Sequence, residues 1–123
     1  MANARNIYGK PLKLCCANAG FTREGFCYTP ELDFGNHSVC AIVSDAFLQF
    51  SLSRGNDLIT PRPELSFPGL KEGDRWCLCA TRWLEACQHG VAPLVDTQAT
   101  SIRALEVIPM PLLEQFSLAK ANH

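Results

Sequence analysis

The stretch Phe67-Pro-Gly-Leu-Lys-Glu-Gly-Asp-Arg-Trp-Cys-Leu-Cys79, running straight into Ala80-Thr-Arg-Trp-Leu-Glu-Ala-Cys-Gln-His-Gly90, leaves this chain the fewest options. A Pro-Gly turn and a Gly-Asp turn bracket a short apolar run, and a helical pattern follows at once. Period-two alternation puts Trp76, Leu78 and Ala80 on one strand face and Arg75, Cys77 and Cys79 on the other. Thr81 is suited to cap the helix, Trp83, Ala86 and Cys87 fall at i, i+3 and i+4, and Gly90 supplies the stop. The result is a strand feeding a helix with no linker between them.

A second unit has the same plan. His37 to Ser44 reads as a strand with Val39, Ala41 and Val43 on one face and Cys40 and Ile42 on the other. Apolar groups on both faces predict a central strand. Asp45 is an N-cap for a helix over 46–54, with Phe47, Leu48, Phe50 and Leu52 on its buried side and Gly55 after it. Shorter strands are expected at Leu12 to Cys15, Gly25 to Pro30, Leu94 to Gln98 and Ala104 to Ile108. Pro111 opens a last helix striped by Leu112, Leu113, Phe116 and Ala119. Between the two units, Pro61, Pro63 and Pro68 keep residues 56–73 irregular, and their apolar neighbours predict an ordered Ω-like loop.

The fold expected is therefore α+β: a small mixed or mainly antiparallel sheet, two strand-to-helix units (37–55 and 75–90) and a C-terminal helix. Residues 1–11 are expected to be a loosely ordered start, and 12–120 a single globular domain. A chain of 123 residues buries roughly two thirds of its unfolded surface and needs no metal or disulfide for its core. A formal charge of -1 and a pI near 6.3 argue against nucleic acid as a partner. No run of apolar residues is long enough to span a bilayer, and the start has no leader-like apolar segment, so a soluble cytoplasmic protein is expected. Seven cysteines, an odd number, then read as thiols in a reducing compartment.

Taken together, Cys15, the Gly20 to Cys27 segment, His37-Ser-Val-Cys-Ala41, Phe47-Leu-x-Phe-Ser51, Gly55-Asn-Asp-Leu58, Thr60-Pro-Arg-Pro-Glu64 and the Phe67 to Cys79 string resemble the uncharacterised family called domain of unknown function 2237. Arg82-Trp83, Gly90-Val-Ala-Pro93, Ala99-Thr100 and Ala104-Leu-Glu-Val107 extend the likeness, which covers about Gly9 to Phe116. The resemblance implies no chemistry, because that family is itself uncharacterised. This chain has Phe26 where the family often has a second cysteine.

Three kinds of chemistry compete for the polar and thiol groups. Cys27, His37, Cys40, Cys77 and Cys79 offer the nitrogen and sulfur ligands of a tetrahedral zinc site, although buried neutral thiols explain the same letters. Thiol redox work is the second. Cys77 and Cys79 stand about 6.6 Å apart along a strand, too parallel for an easy bond, whereas a cross-strand bond from Cys40 to either is less strained. The third is a small-molecule pocket, with Asp33, His37 and Arg75 as binding groups; Asp33 beside His37 forms an oriented acid–base pair if its loop folds back, with a cysteine as nucleophile. Trp76 and Trp83 read as core anchors.

The leading expectation is a small ligand- or metal-binding domain with a Cys/His-lined site. A thiol-dependent enzyme or redox protein is one alternative. A structural or adaptor subunit presenting its Pro-rich loop is the other. No catalytic residue, ligand identity or oligomeric state is legible.

Overall fold

The computed structural model describes residues 4–16, 24–30, 33, 35–65 and 67–118. Its centre is β1 (Val39–Ile42), which pairs antiparallel with β2 (Arg75–Leu78) on one side and with β3 (Leu94–Val95) on the other. The order β2-β1-β3 makes the strand with apolar groups on both faces the central one, as expected. Helices α1 (Asp45–Ser53), α2 (Ala80–Gln88) and α3 (Met110–Gln115) complete a mixed α+β fold.

Alternation along β1 sends Val39 and Ala41 into the main core and Cys40 to the opposite face. In that core Phe47 and Leu48 of α1 meet Trp83 and Ala86 of α2, with Ile108 and Leu113 closing it from the C-terminal side. Trp83 is fully buried, donates its indole N–H to the Pro93 carbonyl at 3.1 Å and meets the Phe116 ring edge-on. Two caps differ from expectation, that of α1 by one residue and that of α2, expected at Thr81, by two. Ser44 caps α1 by accepting from the Phe47 amide at 3.2 Å, so Asp45 becomes the first helical residue, where its charge suits the helix end. Cys79 holds the N-cap position of α2 and makes no side-chain cap bond, while the Thr81 hydroxyl lies 3.1 Å from its sulfur.

Four expected strands change. Of Leu94 to Gln98 only Leu94–Val95 is extended, because the Asp96 carboxylate accepts from the Gln98 amide and turns the chain into a 3-10 helix, Thr97–Ala99. Ala104 to Ile108 lies largely in another, Ile102–Glu106, started by the Ser101 hydroxyl on the Arg103 amide. Residues 12–15 and 25–30 are irregular: the Cys15 and Cys16 amides both donate to the Gly25 carbonyl, at 2.8 and 3.3 Å. Gly25 sits at φ +96°, and a Cβ there would come within 2.6 Å of Leu14 and 2.8 Å of the Cys16 carbonyl oxygen, so only glycine lets these segments cross.

The start expected to be loose is tied down within its described part. Ile7 is 2% exposed and donates its amide to the Thr100 carbonyl. The Pro-rich loop is ordered as expected: Arg62 and Phe67 pair across it, the Asp57 carboxylate accepts the Ile59 and Thr60 amides, and Phe67 and Leu70 reach the core. The final helix has proline in its first turn and buries Leu113; Ala119 lies outside the described residues.

Candidate functional site

The register of β1 and β2 sets Cys40 directly opposite Cys77. The Cys40 amide donates to the Thr100 hydroxyl at 3.1 Å, and its carbonyl accepts from the Asp96 amide at 2.9 Å. Both groups thus face away from β2, which makes Cys40 and Cys77 a closely spaced pair that is not itself hydrogen-bonded. Their partners come from the two segments joined at Gly25. Cys15 is bonded to Cys40 (Cα–Cα 5.7 Å) and Cys27 to Cys77 (5.3 Å). The expectation of seven thiols is corrected accordingly: Cys16, Cys79 and Cys87 are free and the other four are paired. Nor does Cys40 bond to Cys77 or Cys79, since the segments carrying Cys15 and Cys27 lie over that face of the sheet.

The four paired cysteines are all at most 5% exposed and form one cluster with Ala99. The sulfurs of Cys15, Cys27 and Cys77 lie within 4.8 Å of one another. Arg75 stands beside them. Its Nη2 is 3.6 Å from the Cys40 sulfur and forms an ion pair with Asp96, while its Nε is buried with no partner among the described residues. The adjacent Cys16 thiol donates to the Arg75 carbonyl at 2.9 Å; burial pushes it above the usual thiol range, against the pull of the Arg75 charge.

His37 and Cys79 belong to a different place. Asp33, 2% exposed, accepts the His37 Nδ1 proton at 2.8 Å with one carboxylate oxygen and the His37 amide at 2.9 Å with the other. This fixes the ring and leaves Nε2 directed elsewhere. The loop that delivers it passes through Asn36 at φ +50°, a residue type that tolerates the left-handed region. Its ring lies against Gly35, where a Cβ would come within 2.6 Å of His37 Cε1. The Asn36 carbonyl in turn accepts the Ala80 amide at 2.9 Å, tying the histidine loop to the first residue of α2.

His37 and Cys79 line a cavity of about 210 Å³ together with Asn56, Arg82, Leu58, Trp76 and Leu78. Cys77 also borders it, and the register explains how: its side chain is in the sulfur cluster, so it meets the cavity through peptide groups turned away from β1. Apolar walls with a few convergent polar groups are the usual makings of a ligand site. Arg82 is steadied by Glu85 at 3.6 Å and by the Arg54 carbonyl at 3.4 Å.

The structure therefore divides the residues singled out in the sequence. Cys27, Cys40 and Cys77 come together with Arg75 on one side of the sheet, and Asp33, His37 and Cys79 on the other side of β2. One participant was not anticipated: Cys15 is the fourth sulfur, read only as an edge-strand residue, whereas Arg82, which the sequence offers as a cation for thiolate activation, enters the cavity from the first turn of α2.

A model of the family described as an uncharacterised protein conserved in bacteria, domain of unknown function 2237, matches residues 5–117. No curated protein matches the chain. Among the described residues no helix is long and apolar enough to cross a membrane.

Proposed function

Because this chain belongs to the uncharacterised family of domain of unknown function 2237, membership carries no activity with it, and we propose from the cavity that the protein binds a small polar molecule between His37 and Cys79 and acts on it through the Cys79 thiol. The carrying observation is the buried Asp33 carboxylate, both of whose oxygens are spent on His37. A carboxylate so placed holds the imidazole with Nδ1 protonated and Nε2 as the acceptor. The roles follow. Nε2 of His37 takes the Cys79 proton, the thiolate adds to a carbonyl carbon of the ligand as the C=O π pair moves onto oxygen, Asp33 stabilises the imidazolium formed, and the imidazolium returns the proton to that oxygen. Cys79 is itself the N-cap residue of α2, the end of a helix where negative charge is favoured. Asn56, Arg82 and the outward peptide of Cys77 orient the ligand's polar groups. A cavity of about 210 Å³ suits a metabolite smaller than the occupants of drug-sized pockets, which are roughly 300–1,000 Å³.

The reading keeps a cytoplasmic protein, with neither nucleic acid nor membrane as partner, the near-neutral charge arguing against a phosphate backbone. The test is competitive alkylation of the folded protein with iodoacetamide, read by mass spectrometry of each cysteine. Cys79 should be modified fastest of the three free thiols, and Asp33→Asn and His37→Gln should each slow it by at least about tenfold, the low side of a general-base contribution. Equal rates at Cys79 in the wild type and in His37→Gln would refute the pairing.

A further inference from the structure

Behind the sheet, four sulfurs from four separate stretches of chain meet in a site that the His37–Cys79 reading does not use. We infer that Cys15, Cys27, Cys40 and Cys77, when reduced, hold one Zn²⁺, and that the two disulfides are the oxidised, metal-free state of the same site. The argument begins with distance. Tetrahedral zinc with bonds of about 2.3 Å to thiolate sulfur spaces its ligands about 3.8 Å apart. Three of the four sulfurs already lie within 4.8 Å of one another, and the fourth is bonded to one of these. Side-chain rotation therefore interconverts the states with the backbone in place. Cys40 and Cys77 are fixed by the strand register and Cys15 by the Gly25 carbonyl.

Charge supplies the second argument. Zinc bound by four thiolates carries a net charge of about −2, which a buried site tolerates only with donors and a cation at hand. Arg75 provides both. It already approaches the Cys40 sulfur at 3.6 Å, and its buried Nε proton has no acceptor among the described residues in the disulfide state. A thiolate cluster gives that proton an acceptor, and Asp96 keeps the guanidinium in place from the other side.

A sulfur in a disulfide is no longer a thiolate ligand, so oxidation and metal binding exclude each other. With hydrogen peroxide as oxidant, the four thiolates give up four electrons and form two S–S bonds. Two molecules of peroxide take those electrons and four protons to become four waters, and Zn²⁺ leaves. A dithiol reductant returns the electrons and restores the site.

The test uses the full chain, reduced and stripped with chelator, then titrated with Co²⁺ as an optical stand-in for zinc. One equivalent should produce the intense visible bands of tetrahedral thiolate coordination, and Zn²⁺ should displace it. Two equivalents of peroxide per chain should release the zinc while three thiols remain titratable in the unfolded product. Cys27→Ser should abolish the tetrahedral spectrum, whereas Cys16→Ala, Cys87→Ala and Cys79→Ser should keep it. The last variant separates this inference from the His37–Cys79 reading, which it removes. A weak, octahedral cobalt spectrum from reduced wild-type protein overturns the inference whatever the variants do, and so does a tetrahedral spectrum that survives Cys27→Ser.

Discussion

Removing the Cys27–Cys77 bond should have the largest single effect on stability. The bond closes a loop of 50 residues, and the chain-entropy model for a loop of that length gives about 4 kcal/mol of stabilisation through the unfolded state. Unfolding entropy of about 2.1 cal/mol/K per residue, over 123 residues, converts this into a melting temperature lower by roughly 16 °C. The double variant Cys27→Ala/Cys77→Ala is the perturbation, and calorimetry of oxidised protein in chelator is the assay. The Cys15–Cys40 loop is 25 residues and gives about 3.5 kcal/mol alone. The loops overlap, so closing one already restrains the other, and the two bonds together should contribute less than the two stand-alone loop figures added. Full reduction of the wild type in chelator measures that combined loss without truncating side chains. A drop of only two or three degrees in the double variant, with the unfolding enthalpy unchanged, would refute the loop argument.

Gly25→Ala should destabilise by about 1–3 kcal/mol, read as a lower urea midpoint at unchanged slope, since the added methyl meets Leu14 and the Cys16 carbonyl at a backbone angle that disfavours side chains. An unchanged midpoint would show that the crossing of the two segments has slack. Burial pushes Cys16 and Cys87 above the usual thiol range, so their alkylation should be slow at neutral pH and accelerate only as pH rises past that range. Mass spectrometry of each cysteine across pH checks this, and modification of Cys16 at pH 7 at the rate of an unstructured peptide thiol would contradict it. Trp83→Phe should cost about 1–3 kcal/mol in chemical denaturation, because the buried Pro93 carbonyl loses its donor. A neutral result would mean water takes its place.

The two strand-to-helix units were legible because alternation, apolar runs and glycine stops all agreed there. The α1 cap moved by one residue because Ser44 and Asp45 are adjacent cap formers and only tertiary geometry chooses between them. The extra strands failed for a local reason: Asp96 and Ser101 bond to amides two residues ahead, which a tally of β-branched and apolar residues does not register. The site was half legible. Period two placed Cys40 and Cys77 on one face, but it carried Cys79 along with them only if β2 continued. The strand ends at Leu78 and α2 begins at Ala80, so Cys79 sits in the joint and borders the cavity instead. Cys15 was hidden because its contact with Cys40 depends on a crossing at Gly25 that no pattern in the letters encodes.

The cross-links interleave: Cys15–Cys40 spans Cys27, and Cys27–Cys77 spans Cys40. A single backbone cut anywhere between Cys15 and Cys77 therefore falls inside at least one covalent ring. A protease that nicks the exposed Pro63–Leu65 turn would release no fragment. The nicked protein would run as one species on a gel until a reducing agent separated the halves.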